Sequence, residues 1–252
     1  MKAAMRGVRS LVGAWLALAW ATPVGAAEVP SLTVFAAADL AFPFKEIVPR
    51  FEKAIGAKVS LVLGSTGNLA TQIEHGAPAD VFFAADQDAV ERLAARGVLI
   101  EETRTLYAQG RIVLATRKSS GLQPTELRAL LDPRIRHVAI ANPRHAPYGR
   151  AAEDALRRAG VWEALKPKLV YGENIRHTLQ FIQTGAAEAG IVALAIANVP
   201  EVEWTLIDAR LYRPLNQTAA VVKRSQRPEL GLAFIRFVNG PEGRPIMKRY
   251  GF

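Results

Sequence analysis

From residue 32 to the end, short runs of β-forming residues alternate with stretches of helical period, which argues an α/β chain built on parallel-rich sheets. The patterning predicts strands at 32–36, 58–63, 80–84, 112–116, 137–141, 168–172, 190–194, 204–207 and 218–223. It predicts helices at 41–55, 69–75, 87–96, 124–131, 149–159, 175–185, 228–238 and 241–250. In the first of these helices Phe44, Ile47, Val48, Phe51 and Ile55 fall on one stripe, the spacing of a face turned toward a core.

The junctions between strand and helix carry most of the functional information. The first strand runs into Ala37-Ala38-Asp39-Leu40, the second into Gly64-Ser65-Thr66-Gly67-Asn68, the fifth into Asn142-Pro143 and on to Tyr148-Gly149, and the sixth into Glu173-Asn174. Small residues at the carboxyl end of a parallel strand leave room for a ligand, and the helix that follows offers unpaired N–H groups and the positive end of its dipole. Two such tips lie in each half of the chain. They converge most simply if two α/β lobes face one another and hold an anion in the cleft between them.

The first 26 residues stand outside this pattern. Lys2, Arg6 and Arg9 precede the apolar run Leu11–Ala21, and Gly25-Ala26 closes a small-residue site. This is the layout of a secretory signal peptide cleaved near Ala26, and the apolar run is shorter than the roughly 20 residues of a membrane span. The expected product is exported and periplasmic. The formal charge of +9 includes those three leader cations, and the other basic residues are scattered, so nucleic acid is not an expected partner. A mild positive field suits a small anion. The absence of cysteine excludes disulfides, cysteine-ligated metals and a cysteine nucleophile.

Gly64-Ser65-Thr66-Gly67 places two hydroxyls at a helix start, fit for a tetrahedral oxyanion or for a plain helix cap. It lacks the lysine of a nucleotide-binding loop. A secreted serine hydrolase using Ser65 is the competing reading from another class. Only His75, His137, His145 and His177 exist to serve as base, and no Gly-x-Ser-x-Gly elbow is present. An enzyme is therefore not expected, nor is a cofactor.

These residues resemble the periplasmic molybdate-binding protein family, the solute receptors of ABC importers. The resemblance covers about Leu32 to Phe252 and is carried by Val34-Phe-Ala-Ala-Ala, Gln72-Ile-Glu-His-Gly-Ala-Pro-Ala-Asp-Val-Phe, Asn142-Pro-x-His-x-Pro-x-Gly and the ending Lys248-Arg-Tyr-Gly-Phe. It implies a two-lobed type II periplasmic-binding-protein fold with the ligand cleft between the lobes. The implied division is 32–107 plus 204–252 for lobe one and 108–203 for lobe two. It also implies a small oxyanion ligand, molybdate or tungstate, held by hydroxyls and N–H groups without counter-charge. The implied partner is an ABC permease in the inner membrane, and a monomer is expected.

Carried over position by position, the ligand-binding set is Asp39, Ser65, Thr66, Tyr148, Ile175 and Ala193, with Thr66 and Ile175 as contacts to the molybdate oxygens. Two of these depart from the family. Asp39 stands where the family usually has Ser, and Ala193 where it usually has a hydroxyl-bearing Tyr. A carboxylate facing a dianion is repelled by about 4 kcal/mol per unit charge at a separation of about 4 Å and an effective dielectric of about 20. Either Asp39 turns away to cap its own helix, or a proton or cation intervenes, or the ligand is a different anion, one that carries a proton. Arg150 and Arg176 are the cations placed to compensate.

Overall fold

The computed structural model describes residues 29–123 and 125–252; the leader and its cleavage site lie outside the described residues. The chain runs β1 (Ser31–Ala37), α1 (Ala41–Ile55), β2 (Lys58–Gly64), α2 (Thr66–Glu74), β3 (Val81–Ala84), α3 (Gln87–Ala95) and β4 (Thr105–Gly110). It continues through β5 (Ile112–Arg117), β6 (Val138–Ala141), α4 (Pro147–Arg158), α5 (Trp162–Leu165), β7 (Leu169–Gly172) and α6 (Ile175–Thr184). The last part is β8 (Ala189–Ala193), α7 (Leu194–Ala197), β9 (Val202–Leu206), β10 (Leu215–Val221), α8 (Pro228–Asn239) and α9 (Gly243–Arg249).

The strands form two five-stranded mixed sheets, ordered β2-β1-β3-β10-β4 and β7-β6-β8-β5-β9. In the first, β1 is parallel to β2 and β3, while β10 is antiparallel to β3 and β4. In the second, β6 is parallel to β7 and β8, while β5 is antiparallel to β8 and β9. The chain passes between the sheets at Arg111 and again over 207–214.

Several expectations need correction. A lobe border at 204 would cut β9, yet Trp204 pairs with Ala115 and Leu206 with Val113, so this strand belongs to the second sheet. The strand β4 was not expected, because Thr105–Gly110 alternates weakly and ends in glycine. The helix expected at 124–131 is reduced, over its described part, to a five-residue 3-10 turn at Leu127–Leu131. Ile55, expected on the buried stripe, is half exposed in the last turn of α1.

The first sheet is packed on one face by α1, α8 and α9 around an aromatic cluster. Phe44 meets Phe83 edge-on with centroids 5.2 Å apart, and Phe51 meets Phe234 at 4.9 Å. Such pairs add about 0.5–1.5 kcal/mol each beyond burial. Its other face is covered by α2 and α3 through Leu69, Ile73, Val90 and Leu93. The inner strands β6 and β8 of the second sheet are buried on both faces, which is why they read as continuous apolar runs. Polar tips are thus forced to the strand ends, where the two units meet.

Candidate functional site

All four strand tips singled out in the sequence come together around one small cavity between the sheets. It is lined by Ala37, Ala38 and Asp39 after β1, by Gly64, Ser65 and Thr66 after β2, by Ala146, Pro147 and Tyr148 at the start of α4, by Ile175 at the start of α6, and by Ala85. Thr66 and Ile175 are the first residues of α2 and α6, and Tyr148 is the second of α4 after Pro147. The N–H groups of a first helical turn have no intrahelical acceptor, so three helix N-termini present free donors to the same space. Pro147 suits the first position of α4 because its missing N–H would have been unpaired there.

Close packing makes this convergence possible. A Cβ on Gly149 would stand 2.2 Å from the carbonyl oxygen of Ala141, and one on Gly172 would stand 2.4 Å from Thr178 Oγ1. Only glycine lets the starts of α4 and α6 sit so close to the strand ends.

The hydroxyls are differently engaged. Thr66 Oγ1 accepts from the Ala85 N–H at 2.9 Å, which leaves its own proton free to donate. Ser65 Oγ lies 2.8 Å from His145 Nδ1, and the Gly67 N–H donates to the His145 carbonyl at 2.8 Å. Both contacts bridge the two units. Burial lowers the His145 pKa, opposed by Glu173 and aided by Arg150. Ser65 and His145 thus meet as a hydrolase would need, but no carboxylate hydrogen-bonds to His145 among the described residues, so the orienting third member of a triad has no counterpart.

Asp39 is wholly buried, and neither its 3-10 turn nor α1 is capped by a side chain. Its Oδ2 instead accepts from the Tyr148 hydroxyl at 2.8 Å and from Gln217 Nε2 at 2.7 Å, and Gln217 Nε2 also donates to the Tyr148 hydroxyl at 2.9 Å. Its other oxygen, Oδ1, has no partner in hydrogen-bonding geometry. Burial pushes the Asp39 carboxyl up, against the lowering effect of the Gln217 and Tyr148 donors and of the adjacent N–H groups of Asp39 and Leu40. Burial and the Asp39 charge hold the Tyr148 phenol well above its ordinary range, so it remains a donor.

Ala193 stands apart from the others. It is the fully buried last residue of β8, paired with Ile112, and its single methyl does not line the cavity. Arg150 is committed elsewhere, bonded to Asp86 at the start of α3 across the cleft. Arg176 lines a neighbouring interlobe crevice with Phe42, Leu63 and His177. Among the described residues, no lysine or arginine lines the cavity itself, and no group of three or more His, Cys, Asp or Glu could hold a metal ion. Gln217 is outside the expected set because the strand is predicted only from 218; the structure extends it to Leu215–Val221 and buries this amide completely. The arrangement offers neutral donors to a small oxyanion, with one carboxylate at the edge.

Residues 32–252 match the family model described as bacterial extracellular solute-binding protein. The molybdate-binding protein ModA of Azotobacter vinelandii is 35% identical over 239 residues, which cover 90% of this chain and 91% of that protein. The ModA protein of Rhodobacter capsulatus is 33% identical, over 94% of this chain and 92% of its own. Among solved structures, the periplasmic molybdate-binding protein of Azotobacter vinelandii superposes with a TM-score of 0.81 at 30% identity, covering 87% of this chain and 97% of that one. The sulfate-binding protein SubI of Mycobacterium tuberculosis shares the fold, with a TM-score of 0.74 at 16% identity, over 88% of this chain and 86% of its own.

Proposed function

Because the chain belongs to the bacterial extracellular solute-binding protein family, we propose that it is the periplasmic receptor of an ABC importer, binding molybdate or tungstate between its lobes. The observation that carries this reading is the meeting of three helix N-termini and the Thr66 hydroxyl in a cavity free of cationic side chains. Oriented N–H dipoles hold an anion there without a side-chain counter-ion. Thr66, Tyr148 and Ile175 are the central contacts, Thr66 by its hydroxyl and the other two by their N–H groups. Ser65 acts by tying its tip to His145. Asp39 borders the ligand, and Ala193 leaves one donor fewer than the family usually supplies.

Lobe one then comprises 31–110 and 215–252 and lobe two 112–206, joined by the crossings at Arg111 and 207–214. The partner is a membrane permease that accepts the anion when the lobes part. No helix of the described residues is long and apolar enough to cross a membrane, in keeping with export through the leader. The receptor acts as a monomer and has no role for nucleic acid.

A second reading, an oxyanion that carries a proton, is favoured by the Asp39 carboxylate at the cavity wall, which can accept a hydrogen bond from such a ligand but not from a bare dianion. A thermal-shift series with molybdate, tungstate, sulfate, phosphate and chromate separates the two. A ligand at 1,000 times its Kd stabilises the protein by about 4 kcal/mol. The expected result is a large shift with molybdate and tungstate. A shift with phosphate alone supports the protonated anion, and no shift with any of the five overturns both.

A further inference from the structure

The Asp39, Tyr148 and Gln217 cluster lies in both of the places that matter to a closing receptor. Asp39 and Tyr148 line the anion cavity, while Gln217, on β10, pairs with Ala108 of β4 at a break in the ladder register, beside the Arg111 crossing. A Cβ on Gly110 would stand 2.4 Å from the Tyr148 hydroxyl and 2.8 Å from Gln217 Nε2. The cluster is therefore wedged against the backbone where the chain leaves the first sheet. Asp39 and Gln217 come from that sheet, and Tyr148 comes from the helix start that faces it. All three are buried, and the phenol is fully committed: it donates to Asp39 and accepts from Gln217.

We propose that Gln217, together with Asp39, is a positioning residue for the anion site: across the cleft the pair holds the Tyr148 hydroxyl, and so sets both the Tyr148 N–H that meets the anion and the closed angle of the lobes. This rests on the receptor reading above. Opening the lobes separates Tyr148 from Asp39 and Gln217, so the two bonds to the Tyr148 hydroxyl form only on closure, while the Gln217–Asp39 bond lies within the first unit and persists. The two bonds across the cleft therefore slow release of the anion and leave its entry into the open cleft unchanged.

Tyr148→Phe keeps the ring, the backbone N–H and the net charge, and removes only the hydroxyl. Gln217→Met keeps the length and removes the donors. Release of labelled molybdate, chased with unlabelled molybdate, is expected to quicken about tenfold in Gln217→Met, the size of one lost hydrogen bond, and by more in Tyr148→Phe, which loses both bonds across the cleft, with association unchanged. The double variant is expected to release no faster than Tyr148→Phe alone, since that change already removes both bonds across the cleft. A merely structural role would lower the melting temperature without ligand and leave release unaltered. Wild-type release rates in Tyr148→Phe, or additive effects in the double variant, overturn the inference alone. Failure of the wild-type chain to bind molybdate or any other of the five anions overturns the receptor reading and this inference with it.

Discussion

Thr66 Oγ1 accepts the Ala85 N–H at 2.9 Å, and this one bond decides what the hydroxyl can do. With one lone pair taken by a donor that has no other partner, the remaining proton is the group directed to a ligand oxygen. The same hydroxyl also satisfies a buried N–H, so its removal has two consequences. Thr66→Val is expected to weaken molybdate binding by about 1–3 kcal/mol and to lower stability without ligand by a similar amount, because the Ala85 N–H loses its acceptor in a buried place. Thr66→Ser retains both. Calorimetric titration and thermal melts of the two variants check this, and wild-type affinity in Thr66→Val would remove Thr66 from the site.

Gly67 tests closure separately from folding. It lies in the first turn of α2, where Ala is favoured over Gly by up to about 1 kcal/mol. However, an added Cβ would stand 2.6 Å from the carbonyl oxygen of His145 and 2.9 Å from its Cα, atoms of the facing unit. Gly67→Ala is therefore expected to match or exceed the wild-type melting temperature without ligand while losing at least about tenfold in molybdate affinity. Small-angle scattering should show the wild type contracting on molybdate, as hinge closure requires, and the variant failing to contract. A variant that contracts and binds like the wild type would show that the two tips need not approach so closely.

Arg150 braces the opposite side of the cleft by pairing with Asp86, which also caps α3 through the Ala89 N–H at 3.2 Å. Burial pushes the Asp86 carboxyl up, and Arg150 is the first influence that opposes it. Arg150→Gln removes that opposition, so the carboxyl rises further. A carboxyl raised in the folded state stabilises below its unfolded pKa and loses that contribution as pH rises through the folded value. The melting deficit of Arg150→Gln relative to wild type is thus expected to widen from about pH 4 to about pH 7. A deficit independent of pH would show that the pair acts through packing alone.

The parts of this protein that repeat a local pattern were legible in its sequence. The stripe Phe44, Ile47 and Phe51 is the buried face of α1, and the glycine- and alanine-rich tips at 37–39, 64–66 and 146–148 do meet at one place. What was not legible depends on contacts between distant segments. Asp39 and Gln217 are 178 residues apart, and no local rule distinguishes a carboxylate that caps its helix from one that bonds to a phenol across a cleft. The same holds for β9: Trp204 pairs by register with Ala115, a choice fixed by the sheet and not by the strand's own residues. Ala193 illustrates the reverse case, in which a position carried over from relatives contains no polar atom with which to act.

Asp39 is where charge and geometry can be separated. The Tyr148 and Gln217 donors stabilise its ionised form, yet burial is the larger influence and the carboxyl is raised from its ordinary value of 3.8. By linkage, burying this group favours the folded, closed form at low pH, and the advantage is lost as pH rises through the raised value. Above it, the carboxylate and a dianion share one wall, with a repulsion of about 4 kcal/mol per unit charge at about 4 Å and an effective dielectric of about 20. Asp39→Asn removes the charge and keeps an oxygen to accept from the Tyr148 hydroxyl and Gln217, so the latch survives. The variant is expected to bind molybdate more tightly than the wild type near neutral pH. That advantage should shrink toward acid, where the wild-type carboxyl takes up its proton and becomes neutral as well. Asp39→Ala, which discards the charge and the acceptor together, should gain less than Asp39→Asn at every pH. Calorimetric titrations of the three forms over roughly pH 5 to 8, a range in which an unperturbed Asp stays ionised, make the comparison. Equal affinities for wild type and Asp39→Asn throughout would mean that the two donors already cancel the charge at the cavity, leaving Asp39 with its positioning role alone.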